Sequence, residues 1–519
     1  MAEELWVSVA LTGAVRDGAG VFREINGVNG AESAEGAGDP NPGHLARTVR
    51  RGVLWSLFNA GSSRALSLCA MLVIVRLVTP REYGVYAVAF LILTAITSMN
   101  ELGVSVAVAR AQEDPTPLGP TATTLSLATS IGIYLAVYGL APTLATALGS
   151  SAATGVIRLV GLNVILDGFS SIPNAFLMRS FQQGRRTIVD LVAFVPGAGV
   201  TIGLAAAGWG PLALAWGSLA GNVAAVVMVY VLAPSRPLPG WHRAHARVLV
   251  RAGLPFAATS AVYLATLNVD YVVVGRFLGP AALGLYVLAF NLSSAGPNLI
   301  SLAIRRVAIP GFGRLVDDPE ALGKAFARSL HLVAVMAVLI ATLLSTLARP
   351  LITILYGHPW IPAVGALRWL AVLGALRVIF DLGYDVLVGS NRGRALLVVQ
   401  FLWLAGLIAV LPVAARADGI TGVGMGHVIV AVVLVAPAYL VAFRHARLPL
   451  LAIGRALVWP LVAGAATVGV VLGGVRLVTD RWTQLTVVSL VAVVFYALLV
   501  GHQRDNQAVL VRAARRVRS

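Results

Sequence analysis

The sequence predicts an all-α polytopic membrane protein of about 14 transmembrane helices, built as two pseudo-symmetric six-helix lobes with two extra helices at the C-terminus. Three observations carry this expectation. Of the 519 residues, 58% are hydrophobic and only 12% charged, with a mean hydropathy of +0.85; a soluble domain carries about 25% charged residues. Apolar runs of about 20 residues, each long enough for a roughly 30 Å hydrocarbon layer, recur between Gly, Pro and Arg clusters. One phrase is also written twice. The chain reads RLVTPREYGVYAVAF from Arg76 to Phe90 and RFLGPAALGLYVLAF from Arg276 to Phe290, with Arg, Pro, Gly, Tyr, Ala and Phe at matching places.

In chain order, residues 1–46 are Gly-rich and acidic in stretches such as NGVNGAESAEGAGDPNPG, and lack the basic start of a signal peptide. They read as a disordered cytoplasmic tail, or as the product of a start codon placed too far upstream. Residues 47–233 form an N-lobe with spans near 53–75, 84–108, 121–147, 153–177, 187–207 and 211–233. A cytoplasmic linker, 234–251, leads to a C-lobe over 252–443, with spans near 252–275, 282–304, 327–348, 362–388, 395–415 and 420–442. Residues 444–519 hold the last two spans, near 453–473 and 483–501, and a basic tail. The fourth and tenth spans are less apolar than the others, which leaves counts of twelve or thirteen open.

Each copy of the phrase crosses the outer turn between the first and second spans of its half. Six spans separate the copies, so both have one orientation. The halves are a parallel repeat about an axis along the membrane normal. The Gly and Pro of the phrase read as turn punctuation, and Arg76 and Arg276 as interface anchors rather than ligands. With the N-terminus inside, 26 Lys and Arg fall in inner segments and 8 in outer ones. This asymmetry places both termini in the cytoplasm.

The net charge is +17, nearly all from arginine, since Lys324 is the only lysine. The arginines sit between apolar spans, so they face anionic membrane lipid, not nucleic acid. One cysteine, Cys69, excludes an intrachain disulfide, and no histidines pair at metal-ligand spacing. His427, alone in an apolar run, reads as a packed helix residue. The longest loop, RRVAIPGFGRLVDDPEALGKAFARS, leaves no room for a soluble catalytic domain, and there is no phosphate-cradling G-x-x-x-x-G-K-[ST]. The expectation is a transporter rather than an enzyme, with no metal and no cofactor.

Burying an ionisable group in a span costs at least about 2.5 kcal/mol, so such groups face a cavity or a partner. Thr94, Ser98, Glu101 and Ser105 fall on one helical face of the second span. Ser294, Asn298, Ser301 and Arg305 take the same offsets in the eighth, with Asn291 one turn away. These stripes read either as interhelical hydrogen-bonding residues or as the lining of a shared central cavity. In the seventh span Thr259, Tyr263, Thr266 and Asp270 share a face, and the matching first span offers Asn59, Ser63 and Arg64. Arg64 is the candidate phosphate ligand, because guanidinium is a bidentate fork that stays charged; a fixed salt bridge is the alternative. The tenth span carries Arg377, Asp381 and Asp385 at successive turns, with Arg368 nearer its outer end. An intrahelical Arg–Asp pair, with Asp385 reaching toward the headgroups, is the simpler account of these residues. Asp167 in the fourth span is a further lumen candidate.

The phrase RLVTPREYGVYAVAF after a first span resembles the signature of polysaccharide exporters of the multidrug/oligosaccharidyl-lipid/polysaccharide (MOP) superfamily, the Wzx-type flippases. LYGHPWIPAVGALRWLAVLGALRVIFDLGYDVLVGSNRGRA, from Leu355 to Ala395, resembles the tenth-span region of the same family. The similarity covers roughly 47–445 and is greatest to the colanic-acid-exporter-like branch. The resemblance implies a MATE-like fold and a flippase in the bacterial inner membrane. Such a flippase moves undecaprenyl-diphosphate-linked oligosaccharide outward by alternating access, for lipopolysaccharide or other surface polysaccharide. It implies coupling to H+ or Na+, carried by Asp270 or Glu101, and a polysaccharide polymerase and glycosyltransferases as partners. A cation-coupled multidrug or small-metabolite antiporter and a peptidoglycan lipid-precursor flippase remain alternatives, with an integral-membrane glycosyltransferase behind them.

Overall fold

A computed structural model describes residues 67, 69–100, 116–179, 183–313, 315, 318–390 and 392–502; within helices, side chains of several stretches, chiefly 251–267 and 302–310, fall outside the description. Ten helices among the described residues are long and apolar enough to cross a membrane. In chain order the helices are α1 (69–77), α2 (Pro80–Asn100), α3 (Gly119–Ala147), α4 (Ala153–Arg179), α5 (Gln183–Ala206) and α6 (Pro211–Leu232). A continuous helical run, Arg243–Gly313, breaks at Gly279 into α7 (243–278) and α8 (280–313). At 1.5 Å per residue, 71 residues are on the order of 100 Å, several times a bilayer core, so the break is obligatory. After α9 (Pro319–Thr346) and a short helix (Ala348–Leu355) comes α10 (Val364–Gly389). A second long run breaks at Asp418 and Gly419 into α11 (393–417) and α12 (420–445), the latter carrying a π-helical turn at Ala431–Val435. α13 (Leu450–Leu477) and α14 (Arg481–His502) finish the described chain.

The two copies of the repeated phrase make their outer turns by different chemistry. In the first, the Thr79 N–H and hydroxyl donate to the Glu82 carboxylate at 2.8 and 2.9 Å, and the Glu82 N–H donates back to the Thr79 hydroxyl at 3.3 Å. Thr-Pro-Arg-Glu is therefore a capping box with proline at the first helical position, and α2 starts four residues before the expected span. In the second copy Gly279 takes φ 81°, a region where a Cβ is strained, and no acidic residue follows.

Proline inside a helix frees the carbonyl four residues earlier, and in lipid that oxygen needs a donor. Three neighbours supply one. Pro142 in α3 frees Tyr138 O, which takes a hydrogen bond from Arg158 Nε at 3.2 Å while the guanidinium sits 4.4 Å above the Tyr138 ring. Pro173 in α4 frees Phe169 O, which accepts from the Tyr230 hydroxyl at 3.1 Å. Pro460 in α13 frees Ala456 O, met by His331 Nδ1 of α9 at 3.0 Å. His331→Leu is expected to destabilise the protein by about 1–3 kcal/mol by orphaning that carbonyl. In a Pro460→Ala background, where the residue-460 N–H reclaims the carbonyl, the same change is expected to cost much less. Thermal unfolding of the four-member mutant cycle in detergent measures both.

The described chain falls into two compact units. One gathers Ala89–Ala145 and Ala152–Ala265; the other gathers Thr79–Val88, Thr146–Ser151 and the chain from Thr266 onward. In the first, α5 and α6 form a hairpin in which backbone approaches backbone closely at glycines. A Cβ on Gly197 would lie 3.3 Å from both the Gly217 carbonyl and Gly221 Cα, and one on Gly221 would lie 3.1 Å from Ala193 O. Small residues are how membrane helices approach this closely. The segment before α7 is strapped to the start of α3. Gly240 N–H donates to Pro120 O (3.1 Å), Thr124 Oγ1 to Gly240 O (2.7 Å) and His242 N–H to Thr121 Oγ1 (3.1 Å).

In the second unit α9 packs along α13 and α14. Val338, Ala463, Tyr496 and Val500 form one buried cluster, and Leu347, Val471, Val488 and Ala492 another. The Tyr496 hydroxyl donates to Val335 O at 2.9 Å, and Trp459 Nε1 to Leu499 O at 3.3 Å. Asp480 caps α14: the Thr483 N–H and hydroxyl donate to it at 2.8 Å each and hold its carboxyl below the usual carboxylate range. A lowered folded value means this cap contributes above the ordinary carboxylate range and is lost as pH falls through that lowered value.

Candidate functional site

The repeated phrase meets itself in the second unit. A Cβ built on Gly84 would fall on the carbonyl oxygen of Pro280 and lie 2.9 Å from Gly284 N. One built on Gly284 would fall on the carbonyl oxygen of Pro80 and lie 2.9 Å from Gly84 N. The two P-x-x-x-G sequences thus cross backbone to backbone, each glycine seated on the other copy's proline carbonyl. Sequence identity at these positions follows from a reciprocal contact: whatever bulk one copy excludes, its mate must exclude too.

Just beneath this crossing, the second copy builds a polar centre. Asp270 of α7 is 1% exposed, yet its carboxylate is well bound. The Tyr271 N–H donates to Oδ1 at 3.0 Å and the Tyr286 hydroxyl to Oδ2 at 3.0 Å. His427 of α12, also 1% exposed, holds Nε2 3.4 Å from Oδ2. That is ion-pair range, longer than a well-formed hydrogen bond. Its Nδ1 has no hydrogen-bond partner among the described residues. Arg377 of α10 acts electrostatically on both Asp270 and His427, and its guanidinium stacks 4.9 Å from the Phe290 ring centroid. Tyr271, Tyr286 and Phe290 pack edge-on and tilted around the carboxylate, with centroids 5.6–6.3 Å apart. A carboxylate, an imidazole, a phenol and a guanidinium therefore share one enclosure. An imidazole facing a carboxylate is a pair that can take up and release a proton.

Of the other sequence candidates, Asp381 accepts from the Ser301 hydroxyl at 2.9 Å, tying α10 to the polar stripe of α8. Asn291 on that stripe lies beside the Tyr83 hydroxyl. Asp385 is buried within protein at 1% exposure. In the first unit Asp167 Oδ1 accepts from Asn222 Nδ2 at 3.0 Å. Asn59, Arg64 and Glu101 lie outside the described residues, as do the side chains of Ser98, Tyr263, Thr266, Asn298 and Arg305.

Tyr286, Phe290 and His427 were missed as site residues by sequence reasoning. Two sat inside a phrase that reads as turn punctuation, and the third stood alone in an apolar run. The available signal was the repeat itself, which keeps an aromatic in both copies, at 86 and 286.

Residues 73–365, more than half of the chain, match the family described as polysaccharide biosynthesis protein. The chain belongs to that family. The succinoglycan biosynthesis transport protein ExoT of Rhizobium meliloti (strain 1021) is 25% identical over 378 residues, 72% of this chain and 75% of that protein. The lipopolysaccharide biosynthesis protein WzxC of Escherichia coli (strain K12) is 21% identical over 406 residues, 76% of this chain and 80% of that protein. The solved structure of the lipid II flippase MurJ, inward closed, shares the fold with a TM-score of 0.73 at 11% identity, over 88% of this chain and 100% of that one. This polysaccharide biosynthesis protein is a multi-pass membrane protein with the fold of that structure.

Proposed function

We propose that this polysaccharide biosynthesis protein is a flippase that carries undecaprenyl-diphosphate-linked oligosaccharide across the bacterial cytoplasmic membrane, with both termini cytoplasmic, by alternating access of its two halves. The observation that carries the reading is the family match over 73–365, joined to one relative of transport name, ExoT, and one of lipopolysaccharide-biosynthesis name, WzxC, which align along about three quarters of the chain. Arg64 and Arg305 supply guanidinium groups for the diphosphate, the type of side chain that forms bidentate bonds to phosphate oxygens. The lipid tail stays in the bilayer. A glycan polymerase and glycosyltransferases are the natural partners, since they consume and make the substrate.

Coupling runs through Asp270. Its carboxylate, set against His427, exchanges a proton as the transport cycle proceeds, and Tyr286 holds it in place. The first test is Arg64→Ala, expected to abolish surface glycan while the protein remains inserted at wild-type level. Glycan export at the wild-type rate would remove Arg64 from the mechanism. Retained resistance to cationic drugs with no glycan phenotype would favour an antiporter.

A further inference from the structure

Helices α13 and α14 lie beyond the repeated lobes, and the turn that joins them is fixed from within. Gln484 Nε2 donates to Val475 O at 3.1 Å and to Val478 O at 2.7 Å. The Val478 N–H donates to Gly474 O at 3.0 Å, and Asp480 caps α14 through Thr483. Thr479, Arg481 and Trp482 face outward instead; all are exposed, Trp482 by 64%. Arg481 makes no side-chain hydrogen bond or ion pair among the described residues.

Opposite this turn stands the short helix Ala348–Leu355. Its Thr353 hydroxyl donates to Arg349 O at 2.8 Å and keeps its own oxygen as an acceptor. Between the two lies a cleft of about 450 Å³, lined by Thr353, Ile354, Thr479, Asp480, Arg481 and Trp482. Small-molecule sites run from roughly 300 to 1,000 Å³, so a single small ligand fits. Just after the short helix, Trp360 packs edge-on to Tyr83 with centroids 5.8 Å apart. The cleft therefore shares the membrane face of the repeated turns, which is the outer face on the topology proposed above.

The lining selects among ligands. An indole offers a broad apolar surface, against which the C–H face of a pyranose stacks. A guanidinium donates to ring hydroxyls, a carboxylate accepts from them, and the Thr353 and Thr479 hydroxyls do either. A phosphate group fits worse. Asp480 sets a negative charge on the cleft wall, and it already holds a first-turn N–H of α14 that an anion would seek. Anchoring at the membrane interface accounts for an exposed tryptophan. It does not account for a guanidinium, a carboxylate and hydroxyls set around one cleft with it.

We propose that this cleft is a carbohydrate site at the outer face, taking one pyranose unit of a glycan on Trp482 and Arg481. It gives α13 and α14 a role apart from the Asp270 centre: they hold a sugar of the translocated chain where it leaves. The outer placement and the source of the sugar rest on the flippase reading; the binding does not require transport.

The test uses the full-length chain in phosphatidylcholine nanodiscs, because sugar-headed detergents compete for such a site. Saturation-transfer NMR is recorded with the methyl glycosides of glucose, galactose, mannose, rhamnose and glucuronic acid. Glycerol phosphate and a short-chain phosphatidylglycerol serve as competitors. At least one glycoside is expected to bind saturably and to resist both competitors. Trp482→Ala and Arg481→Gln are each expected to weaken it about tenfold with the unfolding midpoint unchanged. Trp482→Phe, which keeps an aromatic face, is expected to retain most of the affinity. No glycoside bound, equal affinity in Trp482→Ala and Arg481→Gln, or displacement by either competitor overturns the proposal. The side is read in spheroplasts with Thr479→Cys in a Cys69→Ser background: a membrane-impermeant maleimide is expected to label it, and labelling only after lysis overturns the outer placement. Binding by a chain shown to move no glycan upholds the site and refutes only the flippase reading; transport without binding refutes only the site.

Discussion

Asp270→Asn is expected to abolish transport while the protein still folds and inserts. The carboxylate takes the Tyr271 N–H on Oδ1 and the Tyr286 hydroxyl on Oδ2 at 3.0 Å each; asparagine keeps one oxygen for the first and turns its NH2 toward the hydroxyl oxygen of the second, so most of the packing survives. It cannot exchange a proton with His427, 3.4 Å away, and it leaves the Arg377 guanidinium without its nearby negative charge. Asp270→Ala is a harsher change. It strands the buried Tyr286 hydroxyl and the His427 imidazole, each at about 1–3 kcal/mol, and is expected to lower the unfolding midpoint as well as activity. Tyr286→Phe separates the two effects: it keeps the ring against Phe290 and removes one hydrogen bond. Partial activity with a modest loss of stability is expected for it. The readouts are glycan export in cells, membrane-inserted protein by blotting, and thermal unfolding of purified protein. Full export by Asp270→Asn would exclude the carboxylate charge from the cycle.

The second large effect is expected at the crossing of the repeated phrases. Gly84→Val places a branched side chain where the Pro280 carbonyl already sits. The obstacle is backbone, not the end of a flexible side chain, so relief requires the two helices to separate. Overpacking of this kind costs about 1–3 kcal/mol and occasionally more. Gly284→Val meets the Pro80 carbonyl in the same way. Because the contact is reciprocal, the double mutant is expected to be markedly less damaged than the sum of the singles: helices already forced apart by one valine have room for the other. Strict additivity would show that the glycines are not in one shared contact. Gly454→Val in α13, where nothing lies within 4 Å of the added Cβ, serves as the neutral control.

The helices were largely legible in the sequence, because the length of an apolar run is a one-dimensional property tied to bilayer thickness. The runs expected near 121–147, 211–233 and 362–388 are α3 (Gly119–Ala147), α6 (Pro211–Leu232) and α10 (Val364–Gly389). The turns at Gly279 and Asp418–Gly419 were visible as well, since a run of 71 or 53 helical residues cannot cross a bilayer once. The polar centre was legible at Asp270 and Arg377, where ionisable residues interrupt apolar spans. Its companions are chemistry at a distance: His427 lies 157 positions along the chain and meets Asp270 only because α7 and α12 are packed together. Asn222, likewise, shares no stripe with Asp167. Spacing along one helix reveals a face, but which faces meet is decided by packing of small residues such as Gly374 against Ser293 and Pro297, or Gly424 against Ala366 and Trp369. Those contacts carry no periodic signal.

The flippase assignment itself is tested most directly by locating its substrate. In a bacterium whose copy of this protein can be depleted, the lipid-linked oligosaccharide is extracted and its sidedness read by an enzyme or label confined to the outer face of the membrane. On depletion the account predicts that undecaprenyl-diphosphate-linked oligosaccharide accumulates inaccessible to the outer probe, and that wild-type protein restores access whereas Asp270→Asn does not. Unchanged sidedness on full depletion, with surface polysaccharide still made, would contradict it.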